Sequence, residues 1–386
     1  VSAAASVVLG AVLRHGPIAR SALARACGLS PAAVTRACAA LSDLGLLVEV
    51  PEAVPYQGIG RPHVPVDIDT TRHVVAGIHV AHLHCTLTLV DLRGGVLVRR
   101  EIPHGTPDDP HEVLTTAADQ LLALHAERLP GHIPIGLGVA AGGWVDPAHG
   151  VIVRHASLGW RDTEVRDLLT ARTGLPVRVD SHARALARAE QLFGAARGRE
   201  SLLHLFVGNV VGAAIVTGGA AHLGPRAAAG DVAHLALGDP AVTCACGKRG
   251  CLEATVSDRA WATRAFRAGV ISRPLIFDLV DAALAGSAEA KANLAERARL
   301  VGRAAAVLFD FLDPEVLVVT ELGTNRLPSC AAALRDEVAA MSRASGDVVL
   351  ASSFGEDVLA VAAGAVQLDA LYADPLSIRN PVWQGV

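Results

Sequence analysis

A Cys-x-Cys pair at 244 and 246, a third cysteine at 251 and a histidine at 234 constrain this chain more than any other feature. The run reads Cys244-Ala-Cys246-Gly-Lys-Arg-Gly-Cys251-Leu-Glu253, so three thiols fall inside eight residues. An imidazole ten residues upstream completes a tetrahedral donor set. Zn²⁺ takes this Cys₃His set in closed structural sites, and Gly247 and Gly250 let the backbone turn tightly enough to converge the sulfurs. A disulfide is the competing reading. It is disfavoured because a Cys-x-Cys pair is too close for an easy bridge and nothing marks an oxidising compartment.

The rest of the composition sets bounds. A chain of 386 residues can hold two or three domains, each with its own core. A net charge of −4 with 51% apolar residues reads as soluble and globular. No apolar run approaches the roughly 18 residues that a membrane span needs, and no secretion signal is legible at the N-terminus. Cys27, Cys38, Cys85 and Cys330 sit in apolar contexts and read as buried free thiols. These features together predict a cytoplasmic protein with no membrane partner.

The first 66 residues read as three helices and a β-hairpin. Val7, Val8, Leu9, Val12 and Leu13 recur at helical spacing until His15-Gly16-Pro17 stops them. A second helix fits residues 20–27. After Gly28-Leu29, Ser30 is a good N-cap with Pro31 at the first helical position, and a third helix runs to about residue 44. Residues 46–50 read as a strand, and the chain returns at 63–66. That order is a winged helix-turn-helix.

Its third helix would enter a DNA major groove. Arg36 can reach guanine O6 and N7, Thr35 a phosphate or a thymine methyl, and the helix start at Ser30 a phosphate. Arg61, in Gly60-Arg-Pro62 at the expected wing tip, is placed for a narrow minor groove. The segment carries five arginines against three acids, a net of +2, which is a weak basic footprint. A dimer would double the phosphate contacts. A winged helix used for protein contacts is the alternative.

Beyond residue 72 the pattern repeats itself. Two apolar stretches, 74–90 and 96–102, meet at Asp91-Leu-Arg-Gly94-Gly95, followed by a helix at 111–129 and a buried strand at 133–140. The same order returns as strands across 202–216, an Ala-rich helix at 288–312 and a strand at 316–320. Two ββ…αβ halves are the plan of the actin-like and sugar-kinase folds, where ligands sit between lobes. The expected fold is therefore α/β: a winged helix-turn-helix over 1–66, then a two-lobed sugar-kinase-like module over 72–376.

Asp231-Val-Ala-His234 followed by the cysteine run resembles the signature of the ROK family, sugar-responsive repressors and sugar kinases. The family pattern is Gly-Glu-x-Gly-His ahead of the cysteines, so Asp231 stands for the glutamate and Ala233 for the second glycine. ROK repressors also resemble the N-terminal segment, including Gly-Arg-Pro. The resemblance implies that sugar is held at Ser181, His182, Asp231, His234 and Glu253, with His234 shared between zinc and ligand. The reading of Asp231 and Glu253 as support for the zinc ligands stays open beside it.

Four places that handle ATP or chemistry in ROK kinases differ here. The Asp-x-Gly-Gly-Thr loop aligns with His79-Val-Ala-His82-Leu83. The Asn-Asp that supplies the base aligns with Ser181-His182, the Gly-Thr-Gly-x-Gly loop with Gly208-Asn-Val-Val-Gly212, and a late Gly-Gly pair with Thr320-Glu321. Phosphoryl transfer needs backbone amides and Mg²⁺ around the phosphates. Histidine at 182 can still act as a base. The expectation is a transcriptional regulator, a repressor, that binds a double-stranded operator as a homodimer or homotetramer. It carries structural Zn²⁺, binds no ATP, and either senses a sugar, sugar phosphate or other metabolite without catalysis or has an empty pocket and represses without an inducer. A residual ATP-dependent sugar kinase with an appended DNA-binding domain is the alternative.

Overall fold

A computed structural model describes residues 2–51, 64–105 and 109–378. The chain divides into two compact units, one of residues 1–140, 164–179 and 359–386, the other of 141–163 and 180–358.

The first unit begins with α1 (Ser2–His15), β1 (Ile18–Ala19), α2 (Arg20–Cys27), α3 (Pro31–Asp43), β2 (Leu47–Glu49) and β3 (Pro65–Ile68). Val8, Leu9, Val12, Leu23, Val34, Leu41 and Leu46 interlock as its core, all essentially inaccessible. Gly28 closes α2 in the left-handed region, and the Ser30 hydroxyl accepts the Ala33 amide at the start of α3. The strands order as β1-β3-β2, with Ile18 opposite Val66 and Val48 opposite Asp67. The returning strand therefore lies two residues later than expected and gains β1 as a second partner. Arg61 lies outside the described residues.

This winged helix is tied to the sheet that follows it. The Arg93 guanidinium, in the turn at residues 91–95, pairs with Asp67 of β3 and donates to the Leu13 carbonyl at 3.3 Å. His73 Nε2 meets the Leu44 carbonyl at 2.8 Å. Ser6 donates to the Tyr372 carbonyl at 2.7 Å, and the buried Tyr372 hydroxyl donates to the Leu92 carbonyl at 2.7 Å. Compactness thus groups residues 1–66 with the first half of the larger module. The reason is polar bonding across the 66/72 boundary, which sequence pattern does not reveal.

The sheet itself is built of β4 (His73–Val80), β5 (His84–Val90), β6 (Val96–Pro103), β7 (Ile133–Ala141) and β11 (Val177–Ser181), in the order β11-β7-β4-β5-β6. The stretch 74–90 is two strands rather than one. Val80 pairs with Cys85 across a turn at 81–83 that contains no Gly, Pro or Asn to announce it. The helices of this unit are α4 (Pro110–Arg128), α5 (Val165–Thr173) and α13 (Val358–Ala373). Helix α13 lies so close to the sheet that a Cβ on Gly138 would stand 2.1 Å from the Ala363 carbonyl oxygen.

The second unit holds a small sheet of β8 (Trp144–Asp146), β9 (Val151–His155) and β10 (Trp160–Glu164), then α6 (His182–Leu192). Its main sheet comprises β12 (Leu202–Val207), β13 (Val211–Thr217), β14 (Ala220–Ala221), β15 (Val316–Glu321) and β16 (Val349–Ala351), in the order β14-β13-β12-β15-β16. That order repeats the first sheet strand for strand, as the doubled sequence pattern requires. Six helices complete it: α7 (Leu252–Val256), α8 (Asp258–Arg267), α9 (Ile276–Leu284), α10 (Ala288–Leu312), α11 (Leu322–Arg326) and α12 (Pro328–Met341). Trp261, Leu279, Leu294, Val301 and Leu334 form the centre of their core.

Candidate functional site

The segment between β14 and α7 brings His234, Cys244, Cys246 and Cys251 together, with all four ligand atoms within 4.8 Å of one another. Cys246 and Cys251 stand 3.6 Å apart at sulfur, and Cys244 Sγ is 3.7 Å from His234 Nδ1. A disulfide requires about 2 Å. Two sulfurs on one tetrahedral zinc stand roughly 3.7 Å apart, so the spacing suits an ion and not a bond. Gly247 and Gly250 adopt φ of +87° and +73° to make the turn, and the Cys244 amide donates to the Lys248 carbonyl at 2.8 Å. The Lys248 backbone amide also holds the Cys246 thiol below its ordinary pKa, which favours thiolate. Among the described residues this is the one such convergence of ligands; His79, His82 and His84 do not form another.

Beside this loop lies a cavity of about 260 Å³ lined wholly by the second unit. Ser181, His182, Asp231, His234 and Glu253 all line it, although they span more than seventy residues of sequence. Ser181 caps α6, its hydroxyl accepting the Arg184 amide at 3.4 Å. The His182 ring lies against Phe206 with centroids 4.0 Å apart. Glu253, on α7, accepts the Val211 amide at 3.0 Å, and burial raises its carboxyl pKa. Asp231 makes no side-chain hydrogen bond among the described residues. Neither carboxylate hydrogen-bonds to a cysteine or to His234, although His234 lies near enough to Glu253 to act on its carboxyl electrostatically.

Three further residues build the cavity. Arg184 is nearly inaccessible, pairs with Asp180 at 2.6 Å and donates to the Val145 carbonyl at 2.8 Å, fixing β8 to α6. Trp144 donates from Nε1 to the Arg226 carbonyl at 2.7 Å. Arg154, an exposed residue on β9, also lines the cavity. The Asp180…Arg184 pair, four residues apart across the end of β11 and the start of α6, is the one sequence signal that points to any of them. Gly143 turns with φ of +79°, and a Cβ there would stand 2.3 Å from the Arg154 carbonyl oxygen.

Comparison with known proteins matches this architecture. The ROK family model covers residues 75–365, and the MarR family model covers residues 1–54. The chain belongs to the ROK family. A transcriptional regulator of Mycobacterium tuberculosis is 35% identical over 97% of this chain and 87% of its own length. A glucokinase of Streptomyces coelicolor is 27% identical over 48% of this chain and 56% of its own. A solved ROK-family transcriptional regulator, a homologue of the E. coli MLC protein, shares the fold with a TM-score of 0.78, 24% identity and 96% coverage of both chains. With a winged helix ahead of the ROK module, the chain is a transcriptional regulator of that family.

At the place of the family's Gly-Gly pair, side chains of this chain meet one another. Glu321, at that place, is buried and accepts the backbone amides of Gly323 at 3.0 Å and Thr324 at 2.7 Å. These are the kind of donors a phosphate uses. Arg297, fully buried on α10, pairs with Glu321 at 2.7 Å and with Asp258 at 2.5 Å. The Asp258 amide in turn donates to the carbonyl of Gly208, first residue of the altered loop. The Glu321 carboxylate repels phosphate by its charge and also takes the amides itself.

In the winged helix, Ser30, Thr35 and Arg36 are all exposed on the first two turns of α3. Thr35 donates its hydroxyl to the Pro31 carbonyl at 2.9 Å.

Proposed function

We propose that this ROK regulator represses transcription in the cytoplasm as a homodimer or homotetramer, gripping a double-stranded operator with α3 and the Arg61 wing, while the second unit senses a small hydroxylated metabolite. The supporting observation is the cavity: the five positions expected to hold sugar line one space. Asp231 and Glu253 offer carboxylate oxygens to hydroxyl groups, which is a charge-assisted contact. Arg154 at the same wall suits an anionic substituent, as on a sugar phosphate. His234, Cys244, Cys246 and Cys251 would hold a structural Zn²⁺, which would anchor the loop that carries His234 and Asp231 to the cavity wall.

The module binds no ATP and does not phosphorylate its ligand. The Glu321 carboxylate and its Arg297 partner stand where phosphate groups would need those amides. Ligand binding instead resets the spacing of two winged helices in the oligomer, and affinity falls because both half-sites must be met together. The bonds from Arg93, His73 and Ser6 make each winged helix move with the first sheet, so a change in the module reaches α3.

Fluorescence anisotropy of the full chain against its own upstream region, with unrelated duplex and a salt titration as controls, tests this reading. Selective, salt-sensitive binding is expected, released by a member of a sugar and sugar-phosphate panel. Phosphorylated sugar formed from ATP at high protein concentration would show a kinase instead. Binding no tighter than to unrelated DNA, with or without the panel, overturns the regulator.

A further inference from the structure

Helix α3 shows one exposed face to the outside. Ala32, Thr35, Arg36 and Ala39 recur at i, i+3, i+4 and i+7 and are all exposed, while Val34, Ala37, Cys38 and Leu41 are buried. Three of those four exposed residues end in methyl groups. The hydroxyls at the start of the helix are both engaged with its own backbone: Ser30 accepts the Ala33 amide at 3.2 Å, and Thr35 donates to the Pro31 carbonyl at 2.9 Å. Such i−4 back-bonding spends the threonine's donor inside the helix. Its oxygen can still accept from a base amino group, but thymine presents only an acceptor and a methyl in the major groove, so toward thymine Thr35 offers its Cγ2 methyl. Arg36 is then the one residue of the face with hydrogen-bond donors free for base edges.

The major groove displays a single apolar group, the C5 methyl of thymine, and a guanidinium matches guanine O6 and N7. We infer that α3 reads thymine methyl groups through Ala32, Thr35 and Ala39 beside one guanine taken by Arg36, and that Thr35 acts through its methyl and not its hydroxyl. The inference rests on the DNA-binding reading above and specifies what the helix selects. The operator half-site is accordingly a short run of thymines adjoining a guanine.

The test starts from duplexes selected by the full-length protein out of a randomised pool. Each thymine of the selected half-site is then replaced by deoxyuridine, which keeps the pairing edge and removes only the methyl. Affinity should fall about fourfold at each contacted position, the worth of one buried methyl group. Two variants separate methyl from hydroxyl. Thr35→Val keeps shape and methyl and should bind within about twofold of the native chain; Thr35→Ser keeps the hydroxyl and should lose about fourfold. Thr35→Ser should also become insensitive to uracil at the thymine it no longer touches. Melting curves establish that each variant is folded. Selective binding that is indifferent to uracil, or a Thr35→Val variant weakened as much as Thr35→Ser, overturns this inference alone. Failure to select any sequence overturns the DNA-binding reading and this one with it.

Discussion

Two polar clusters lie in the second unit, and they are satisfied in opposite ways. At 234–251, three sulfurs and an imidazole gather with their ligand atoms within 4.8 Å of one another, a donor set that fits a metal ion from outside. At Arg297, one guanidinium meets two carboxylates, and those carboxylates meet backbone amides, so the cluster is complete within the chain. The contrast teaches that converging donors of one kind call for a partner from outside, whereas opposite charges complete one another within the chain.

Removing the ion should have the largest effect. Cys251→Ser, or a strong chelator on the native chain, should release one equivalent of zinc and lower the melting temperature by many degrees. Structural zinc contributes folding free energy directly, on the order of 10 kcal/mol in small zinc modules. Native-like melting and full zinc content in Cys251→Ser would remove the metal assignment and with it the contrast.

Breaking the self-contained cluster should cost somewhat less. Arg297→Met leaves Glu321 and Asp258 buried without a counter-charge, and urea unfolding should report a loss of about 3–5 kcal/mol. Burial already pushes the Asp258 carboxyl up, against the opposing pull of Arg297, so the variant should take up a proton at Asp258 more readily than the native chain.

An uncharged neighbour sharpens the comparison. His204 on β12 is fully buried beside Thr320, with Nε2 3.0 Å from its hydroxyl, and burial alone lowers its pKa to about 3. The folded ring stays neutral while the unfolded chain binds a proton below pH 6.5, the ordinary histidine value. Its stabilisation is therefore whole above that pH and is lost as pH falls toward 3, by about 1.4 kcal/mol per pH unit. Denaturation midpoints measured from pH 7 to 5 should decline, and His204→Gln should flatten the decline. Equal slopes for both proteins would remove this group from the acid response.

The smallest effect belongs to an ion pair of the same unit in water. Arg264 and Glu296 meet at 3.0 Å but are each about half exposed, so Arg264→Ala should cost at most about 1 kcal/mol. A larger loss would mean that the Arg264 stack over Trp261, 4.8 Å from the ring centre, carries stability beyond the charge.

Much of the fold was legible. Helix α10 spans the residues its apolar spacing indicated, α2 likewise, and Ser30-Pro31 marked the start of α3 through capping chemistry that is local by nature. The turn at 81–83 was not legible, because its residues carry no turn preference and the break is imposed by pairing of β4 with β5. In the candidate site, the cysteines and His234 were read from spacing alone, whereas Arg154, Trp144 and the role of Arg184 were not. Those three come to the cavity from separate elements, and no short-range pattern connects them.

By itself, then, the sequence determined the elements, the doubled ββ…αβ order, the metal donors and the loss of the phosphate-binding glycines, since each is written in residues close together or in a repeating period. Only the tertiary structure decided what became of the freed amides at Gly323 and Thr324, which strands Arg93 ties to the winged helix, and which partner takes the Thr35 hydroxyl. Whether a polar group is satisfied depends on the atoms within about 3 Å of it, and folding chooses those atoms from anywhere in the chain.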